Sequence, residues 1–158
     1  MEIEIESMSE TDLDRVVQIE LETNLSFWGW EVYQAELNRS DSLCLVAVTN
    51  IIEEMKGDFS RKILGFAFAR LITPEVEIIN IAVDKNYQRH GAATKLLDVV
   101  LLQSENRGCR ICLLEVRESN QAAREFYYRY GFQAVGRRKK YYRNPVEDAI
   151  LLNAEIKK

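Results

Sequence analysis

Glu115 is a carboxylate set in an otherwise apolar run of Ile111, Cys112, Leu113, Leu114 and Val116. Burial disfavours a charged carboxyl, so a glutamate in such a strand is a better base than one in water. The plainer alternative is an ionised side chain at the wet end of a sheet, partnered by Arg117 on the same face. Residue types alone leave both readings open. A second cluster comprises Gln88, Arg89, His90, Gly91, Ala92 and Ala93, between a polar loop and a helix. A helix N-terminus offers unpaired backbone N–H groups and a positive dipole end, which suit a pyrophosphate. Gly91 lets an anion approach the backbone, Ala92 and Ala93 stay small, and Arg89 adds positive charge. The run is neither a Walker loop nor a dinucleotide fingerprint, so a plain loop-to-helix joint is the competing reading. His90, the single histidine, lies in this loop beside Arg89 and suits anion contact or exposure rather than catalysis.

Three cysteines, Cys44, Cys109 and Cys112, do not form a disulfide framework. Cys109 and Cys112 have C-x-x-C spacing, yet in a strand positions i and i+3 point to opposite faces. No second Cys/His pair completes a tetrahedral site, so no metal is expected. The cysteines read as packing residues in a reducing, cytoplasmic setting. The chain has 158 residues, with 21 Lys plus Arg against 25 Asp plus Glu, a net charge of −4. That length suits one domain over residues 1–158, and 47% hydrophobic with 29% charged residues is ordinary globular composition. The apolar runs are too short to span a membrane, and the first residues do not resemble a signal peptide. The acidic balance speaks against general nucleic-acid binding.

These residues must be positioned by elements that the patterning outlines. Alternation over Glu2–Glu6 predicts a strand, and Ser9 to Asp12 resembles a cap before a helix through Leu13, Val16, Val17 and Leu21. Trp30, Tyr33, Gln34 and Leu37 suggest a second short helix. Ser42–Val48 and Ile63–Ile72 are strand-like, with the polar stretch Thr49–Lys62 between them read as a long mobile hairpin loop. Glu75–Val83 is a strand, Ala92–Asn106 a helix ended by Arg107 and Gly108, and Arg110–Arg117 another strand. Ser119 or Asn120 caps a helix that runs to Tyr130. Phe132–Gly136 and Asp148–Ile156 close the chain as strands around an Arg/Lys/Tyr-rich connection. The order β-α-α-β-β-β-α-β-α-β-β defines a mixed α/β (α+β) domain.

Asn80 to Asp84, followed by Gln88, Gly91 and Ala93, resembles the acetyl-CoA motif of the GCN5-related N-acetyltransferases (GNAT), Gln/Arg-x-x-Gly-x-Gly/Ala. Leu114 to Asn120, Ala122, Ala123, Phe126, Tyr127 and Tyr130 to Phe132 resemble the second half of that motif set. Phe27, Trp28, the run Arg137–Tyr142, and Glu147 to Ile150 extend the likeness to the bacterial ribosomal-protein-alanine N-acetyltransferases. The resemblance implies a splayed sheet flanked by helices, with acetyl-CoA as cosubstrate. Ile81, Ala82 and Val83 would contact its pantetheine arm through the main chain. Arg89, His90, Gly91, Ala92, Ala93 and Thr94 would hold the pyrophosphate, and Asn120 would contact the arm.

The same likeness makes Glu115 the general base and Tyr127 the general acid, with Tyr128 the competing register and Val83 N–H the oxyanion donor. A phenol near pKa 10 protonating a thiolate near 8.5 is uphill by roughly 2 kcal/mol, so Tyr127 serves mainly to hydrogen-bond the developing sulfur charge. Direct transfer in a ternary complex, without a covalent enzyme intermediate, follows. Trp28, Tyr141 and Tyr142 would line the acceptor groove. Glu20, Glu22 and Glu31 are candidates for attracting a basic peptide, with ordinary helix surface the equal alternative. The implied partner is the N-terminal alanine of a small-subunit ribosomal protein, with no membrane and no direct nucleic-acid contact. The run Arg137–Arg143 reads as a solvated hairpin rather than a nucleic-acid site. The long stretch Thr49–Lys62 departs from the family's usual turn. Alternatives are an acetyltransferase for lysine, a polyamine or another small amine, and a non-catalytic acyl-CoA-binding or RNA-associated module.

Overall fold

The computed structural model describes residues 1–23 and 27–156. Its elements are β1 (Glu4–Ser7), α1 (Leu13–Glu22), α2 (Gly29–Leu37), β2 (Ser42–Ile52), β3 (Phe59–Ile72), β4 (Glu75–Val83), α3 (Ala92–Asn106), β5 (Ile111–Arg117), α4 (Gln121–Arg129), β6 (Gln133–Tyr142) and β7 (Glu147–Glu155). The expected order of helices and strands is therefore observed. Short 3-10 turns at Glu10–Asp12 and Lys85–Tyr87 are additions. The strands form one seven-stranded, mostly antiparallel sheet in the order β1-β2-β3-β4-β5-β7-β6. The chain divides into two compact units, Met1–Ala69 with Asn80–Leu102, and Arg70–Ile79 with Gln103–Lys158.

In the first unit, β1 pairs antiparallel with β2, from Glu4 opposite Val48 to Ser7 opposite Leu45. The turn into α1 is closed by the Ser9 N–H, which donates to Asp12 Oδ2 at 2.9 Å. Leu13, Val16, Ile19 and Glu20 then recur at helical spacing and are buried. Tyr33 of α2 stacks on Phe68 of β3 with ring centroids 4.5 Å apart, and Phe66 meets Phe68 edge-on at 5.7 Å. Leu96, Leu97 and Val100 of α3 are fully buried, as the apolar stripe of that helix requires.

The stretch Thr49–Lys62 is not a long loop. β2 runs on to Ile52 and β3 starts at Phe59, leaving a tight hairpin in which Glu53 N–H donates to Asp58 O at 3.0 Å. Ile51, Ile52 and Phe59 are strong strand formers, and an exposed ladder satisfies its backbone whatever the charge of its neighbours.

In the second unit, β4 and β5 pair in parallel, with Glu75 opposite Ile111 through Ile78 opposite Leu114. β5 and β7 pair antiparallel along all of β5. Cys112, Leu114 and Val116 of β5 are buried on one face with Tyr127 of α4, Phe132 and Leu152. The basic segment expected to connect two strands is itself part of β6, whose residues are almost all exposed. Its pairing with β7 extends it well past Gly136, because Tyr141 and Tyr142 are strand formers and long charged side chains are stable on a solvated face.

Gly65 of β3 is required by close approach. A Cβ there would lie 2.6 Å from the Ala82 carbonyl oxygen and 3.0 Å from Val83 Cγ2. Gly65→Ala is expected to cost about 2 kcal/mol and lower Tm by roughly 5 °C, measured by thermal unfolding.

Candidate active site

The anion-binding candidate belongs to the first unit. Ala82 and Val83 end β4 in the core, and the Val83 carbonyl accepts from Gln88 Nε2 at 3.2 Å. Gln88 thus folds the loop back onto the strand that precedes it. Asp84 is buried, accepts from Asn86 N–H at 2.8 Å and pairs with Arg15 of α1. Lys62 Nζ sits 4.6 Å from the Tyr87 ring centroid, covering the 3-10 turn. Arg89 at φ 66 and Gly91 at φ 88 both adopt left-handed backbone. Those two residues turn the chain sharply into α3, where the Gly91 carbonyl accepts from Lys95 N–H at 3.0 Å.

Gln88, Arg89, His90 and Gly91 are exposed, while Ala92 is buried and Ala93 half-buried. A Cβ at Gly91 would meet nothing within 4 Å, so that side of the loop is open. Helical geometry leaves the N–H groups of Ala92 and Ala93 without an acceptor four residues back. Small side chains, a glycine in left-handed backbone and an adjacent arginine fit a pyrophosphate group at this helix start.

The residues expected on the acceptor side divide between the units. In the first, Trp28 precedes α2, and its ring lies 5.9 Å from that of Tyr33. Glu20 does not attract a peptide from the surface: it is fully buried. Its Oε1 accepts from the N–H groups of Trp28 at 3.0 Å and Gly29 at 3.2 Å, and its Oε2 from the Tyr33 hydroxyl. A carboxylate from α1 therefore caps α2. Asn80 Nδ2 donates to the Tyr33 hydroxyl at 3.0 Å. Burial, followed by the bond and charge of Glu20, raises the Tyr33 pKa far above its ordinary value.

In the second unit, Glu115 lies on the half-exposed face of β5, opposite Leu151 of β7. Its partner is Arg138 of β6, whose Nε lies 2.9 Å from Oε1. Arg117 has turned elsewhere: it pairs with Glu147 at 3.3 Å, and its guanidinium carbon sits 4.3 Å from the Tyr142 ring centroid. Tyr141 hydrogen-bonds to Glu115, which raises its pKa. Tyr142 is pushed up to about 12, first by burial and then by the charge of Glu115.

Asn120 caps α4, its Oδ1 accepting from Ala123 N–H at 3.2 Å. The cap fixes the helix register that buries Tyr127 at 7% exposure and turns Tyr128 out at 39%. Tyr127 packs edge-on against Phe126 and Phe132, with centroids at 5.1 and 5.3 Å. Burial, with Cys112 adding, raises its pKa well above the ordinary phenol value, so it stays neutral and able to donate. Cys112 itself is pushed up to about 12 by burial and then by Cys109, which keeps it a protonated packing thiol. Cys44 is likewise pushed up to about 12, by burial and then by Glu36. Among the described residues, no cluster of three or more His, Cys, Asp or Glu is placed to hold a metal ion.

Sequence reasoning missed Arg138 and Tyr33. Arg138 was hidden in a basic run whose members look alike until the strand register is known. Tyr33 appeared only as a helix-face aromatic.

A mixed sheet, a glycine-led helix start suited to pyrophosphate, and a strand carboxylate and buried phenol in the second unit have the chemistry of an acyl-transfer enzyme. The chain belongs to the acetyltransferase (GNAT) family, whose model matches residues 13–132, and it is an N-acetyltransferase of that family. It is 32% identical to a ribosomal protein bS18-alanine N-acetyltransferase of Haemophilus ducreyi, over 96% of both chains. The enzyme of that name from Escherichia coli K12 is 31% identical over 96% of this chain and 97% of its own. The crystal structure of the E. coli ribosomal-protein-S18-alanine N-acetyltransferase matches with a TM-score of 0.83 at 30% identity, over 99% of this chain and 96% of that one. Arabidopsis thaliana NAA60 in complex with acetyl-CoA shares the fold, with a TM-score of 0.86 at 22% identity over 98% and 99% of the two chains.

Burial alone would raise the Asp84 pKa, but the Asn86 N–H, Arg15 and Lys62 together hold it below the usual carboxylate range. Its stabilising contribution is therefore full above the unfolded-state pKa near 4 and is lost as pH falls through the lower folded value. Asp84→Asn is expected to lower Tm at pH 7 by roughly 5 °C and to flatten the loss of Tm in acid, measured by thermal unfolding from pH 7 to pH 3.

Proposed function

We propose that the chain works as a single cytoplasmic domain, an acetyl-CoA-dependent N-α-acetyltransferase. Its acceptor is the N-terminal alanine of a small-subunit ribosomal protein. Full-length identity to enzymes named for that acceptor supports the substrate. The observation that carries the chemistry is the pairing of functions within the second unit: a half-exposed strand carboxylate, Glu115, and a buried neutral phenol, Tyr127.

Acetyl-CoA supplies an activated thioester. Arg89, His90, Gly91, Ala92, Ala93 and Thr94 hold its pyrophosphate, largely through backbone N–H groups and the end of the α3 dipole. Ile81, Ala82 and Val83 contact the pantetheine arm by main chain, Asn120 contacts the same arm, and Val83 N–H meets the developing oxyanion. Trp28, Tyr141 and Tyr142 hold the acceptor's N-terminus. As the neutral amine attacks, the C–N bond forms and the C–S bond breaks. Glu115 takes the proton that the nitrogen sheds, directly or through a water. Tyr127 donates a hydrogen bond to the departing sulfur, and its raised pKa makes this a better description than early proton transfer. No covalent enzyme intermediate is needed, and the high thiol pKa values of Cys44 and Cys112 suit that route.

With acetyl-CoA and a peptide beginning with alanine, Glu115→Gln and Tyr127→Phe are each expected to lower kcat/KM about a hundredfold or more. Free-CoA release and mass spectrometry of the peptide would measure this. Full activity in both variants would refute the assignment of roles.

A further inference from the structure

Glu115 does not lie open to solvent as a lone carboxylate. Its side chain is 19% exposed, and Oε1 lies 2.9 Å from Nε of Arg138. Tyr141 shares the same carboxylate, and the Arg138 guanidinium carbon stands 5.8 Å from the Tyr141 ring centroid. On a regular strand, Arg138 and Tyr141 would face opposite sides of the sheet, being three residues apart. The register shift between Arg138 and Tyr142 removes that restriction. Lys140 takes left-handed backbone there, φ 52. Asp148 pins the irregularity: Oδ1 accepts from Lys140 N–H and Oδ2 from Arg137 Nη1, both at 2.9 Å. Arg138, in regular pairing with Ala149, already shares the face of Glu115, and the bulge brings the Tyr141 phenol to the same carboxylate.

Among the described residues, other charged and titratable groups near this carboxylate have partners of their own. Arg117 on β5 is engaged with Glu147 of β7. Tyr142 on β6 lies beneath Arg117, and Glu77 on β4 acts on Tyr141. Arg138 is the cation in direct contact with Glu115.

An acceptor that reaches Glu115 as an ammonium must enter beside a guanidinium that keeps its proton at any working pH. One that arrives neutral meets no such repulsion. At pH 7.4 an α-amine is neutral for roughly a quarter of the time, whereas a lysine amine is neutral about once in a thousand. We infer that Arg138, paired with Glu115 across β7, restricts the acceptor to amines already substantially neutral, and so selects an N-terminal α-amine over a lysine side chain. This rests on the proposed role of Glu115 as base. Arg138 is a specificity-determining residue that acts through Glu115, not a proton carrier.

The test compares two peptides of one sequence, one with a free N-terminal alanine and no lysine, the other with a blocked N-terminus and a single lysine. Wild type, Arg138→Gln and the charge-retaining Arg138→Lys are assayed for kcat/KM across pH 6.5–9.5. Wild type is expected to favour the alanine peptide strongly, with a rate that climbs through the acceptor's own pKa near 8. Arg138→Gln is expected to narrow the α-to-ε preference about tenfold, mainly by faster lysine acetylation, and to move the climb to lower pH. Arg138→Lys should keep most of the preference. The KM for acetyl-CoA and the Tm should be unchanged in all three, which separates selection from a structural effect. The Arg138 side chain is 57% exposed, and Arg138→Met repeats the neutral test with a different shape. An alanine-selective wild type whose Gln and Met variants keep that selectivity overturns this inference alone. A wild type that acetylates the lysine peptide as readily as the alanine peptide overturns the proposed function and this inference with it.

Discussion

A carboxylate withdrawn from water must be met by donors, and in the first unit that requirement sets the positions of the working residues. Glu20 is fully buried, so the turn into α2 closes on it with two backbone N–H groups and the Tyr33 hydroxyl. The turn so held is the one that presents Trp28. Asp84 is buried at the end of β4 and takes its donors from the following 3-10 turn and from Arg15. Those bonds set the path of the loop toward Gly91 and the start of α3. In the second unit the half-exposed Asp148 pins the bulge of β6, and the bulge brings Tyr141 to the carboxylate that Arg138 already meets. Each carboxylate is satisfied by groups close in space, and a functional segment is fixed as the consequence.

The order of elements was legible because it rests on local chemistry. Ala92–Asn106 could be read to the residue, since a glycine precedes it, an apolar stripe fills one face, and Gly108 with φ 90 closes it. β5 and α4 were legible for the same reasons: an apolar run, then a cap at Ser119 or Asn120, of which the structure uses Asn120. The hairpin between β2 and β3 is not legible, because charge and polarity suggest a loop, whereas Ile51, Ile52 and Phe59 carry the ladder onward. The sequence pattern of β6 fades at Gly136 for a related reason. Its exposed face is a valid place for arginine and lysine, and composition alone does not separate an exposed strand from a solvated connection.

Site residues were legible where their type is unusual for their place, as with Glu115 in an apolar strand and Gly91 before a helix. Partners were not legible, because pairing depends on register. Arg117 is two residues from Glu115 and on its face, so it was the natural choice, yet Glu147 and the Tyr142 ring hold it instead. Arg138 reaches Glu115 across the one intervening strand, β7, of the sheet order β5-β7-β6. Glu20 shows the converse. Its charge pointed to the surface, and only its burial reveals a capping role.

The net charge of −4 sits beside a strand rich in arginine and lysine, and the two are reconciled by pairing rather than by a polyanionic ligand. Arg137 meets Glu118 at 2.8 Å and Asp148 at 2.9 Å, and Arg138 meets Glu115 at 2.9 Å. Exposed pairs of this kind contribute little to stability, on the order of 0–1 kcal/mol each. Their effect lies in geometry and local potential. A cation fixed beside a base discriminates among amines by protonation state, a property on which α- and ε-amines differ far more than they do in size. Shape alone would have to separate two primary amines at the ends of flexible chains. Charge beside the acceptor can do so with one residue, provided the strand pairing holds it on the face of the base.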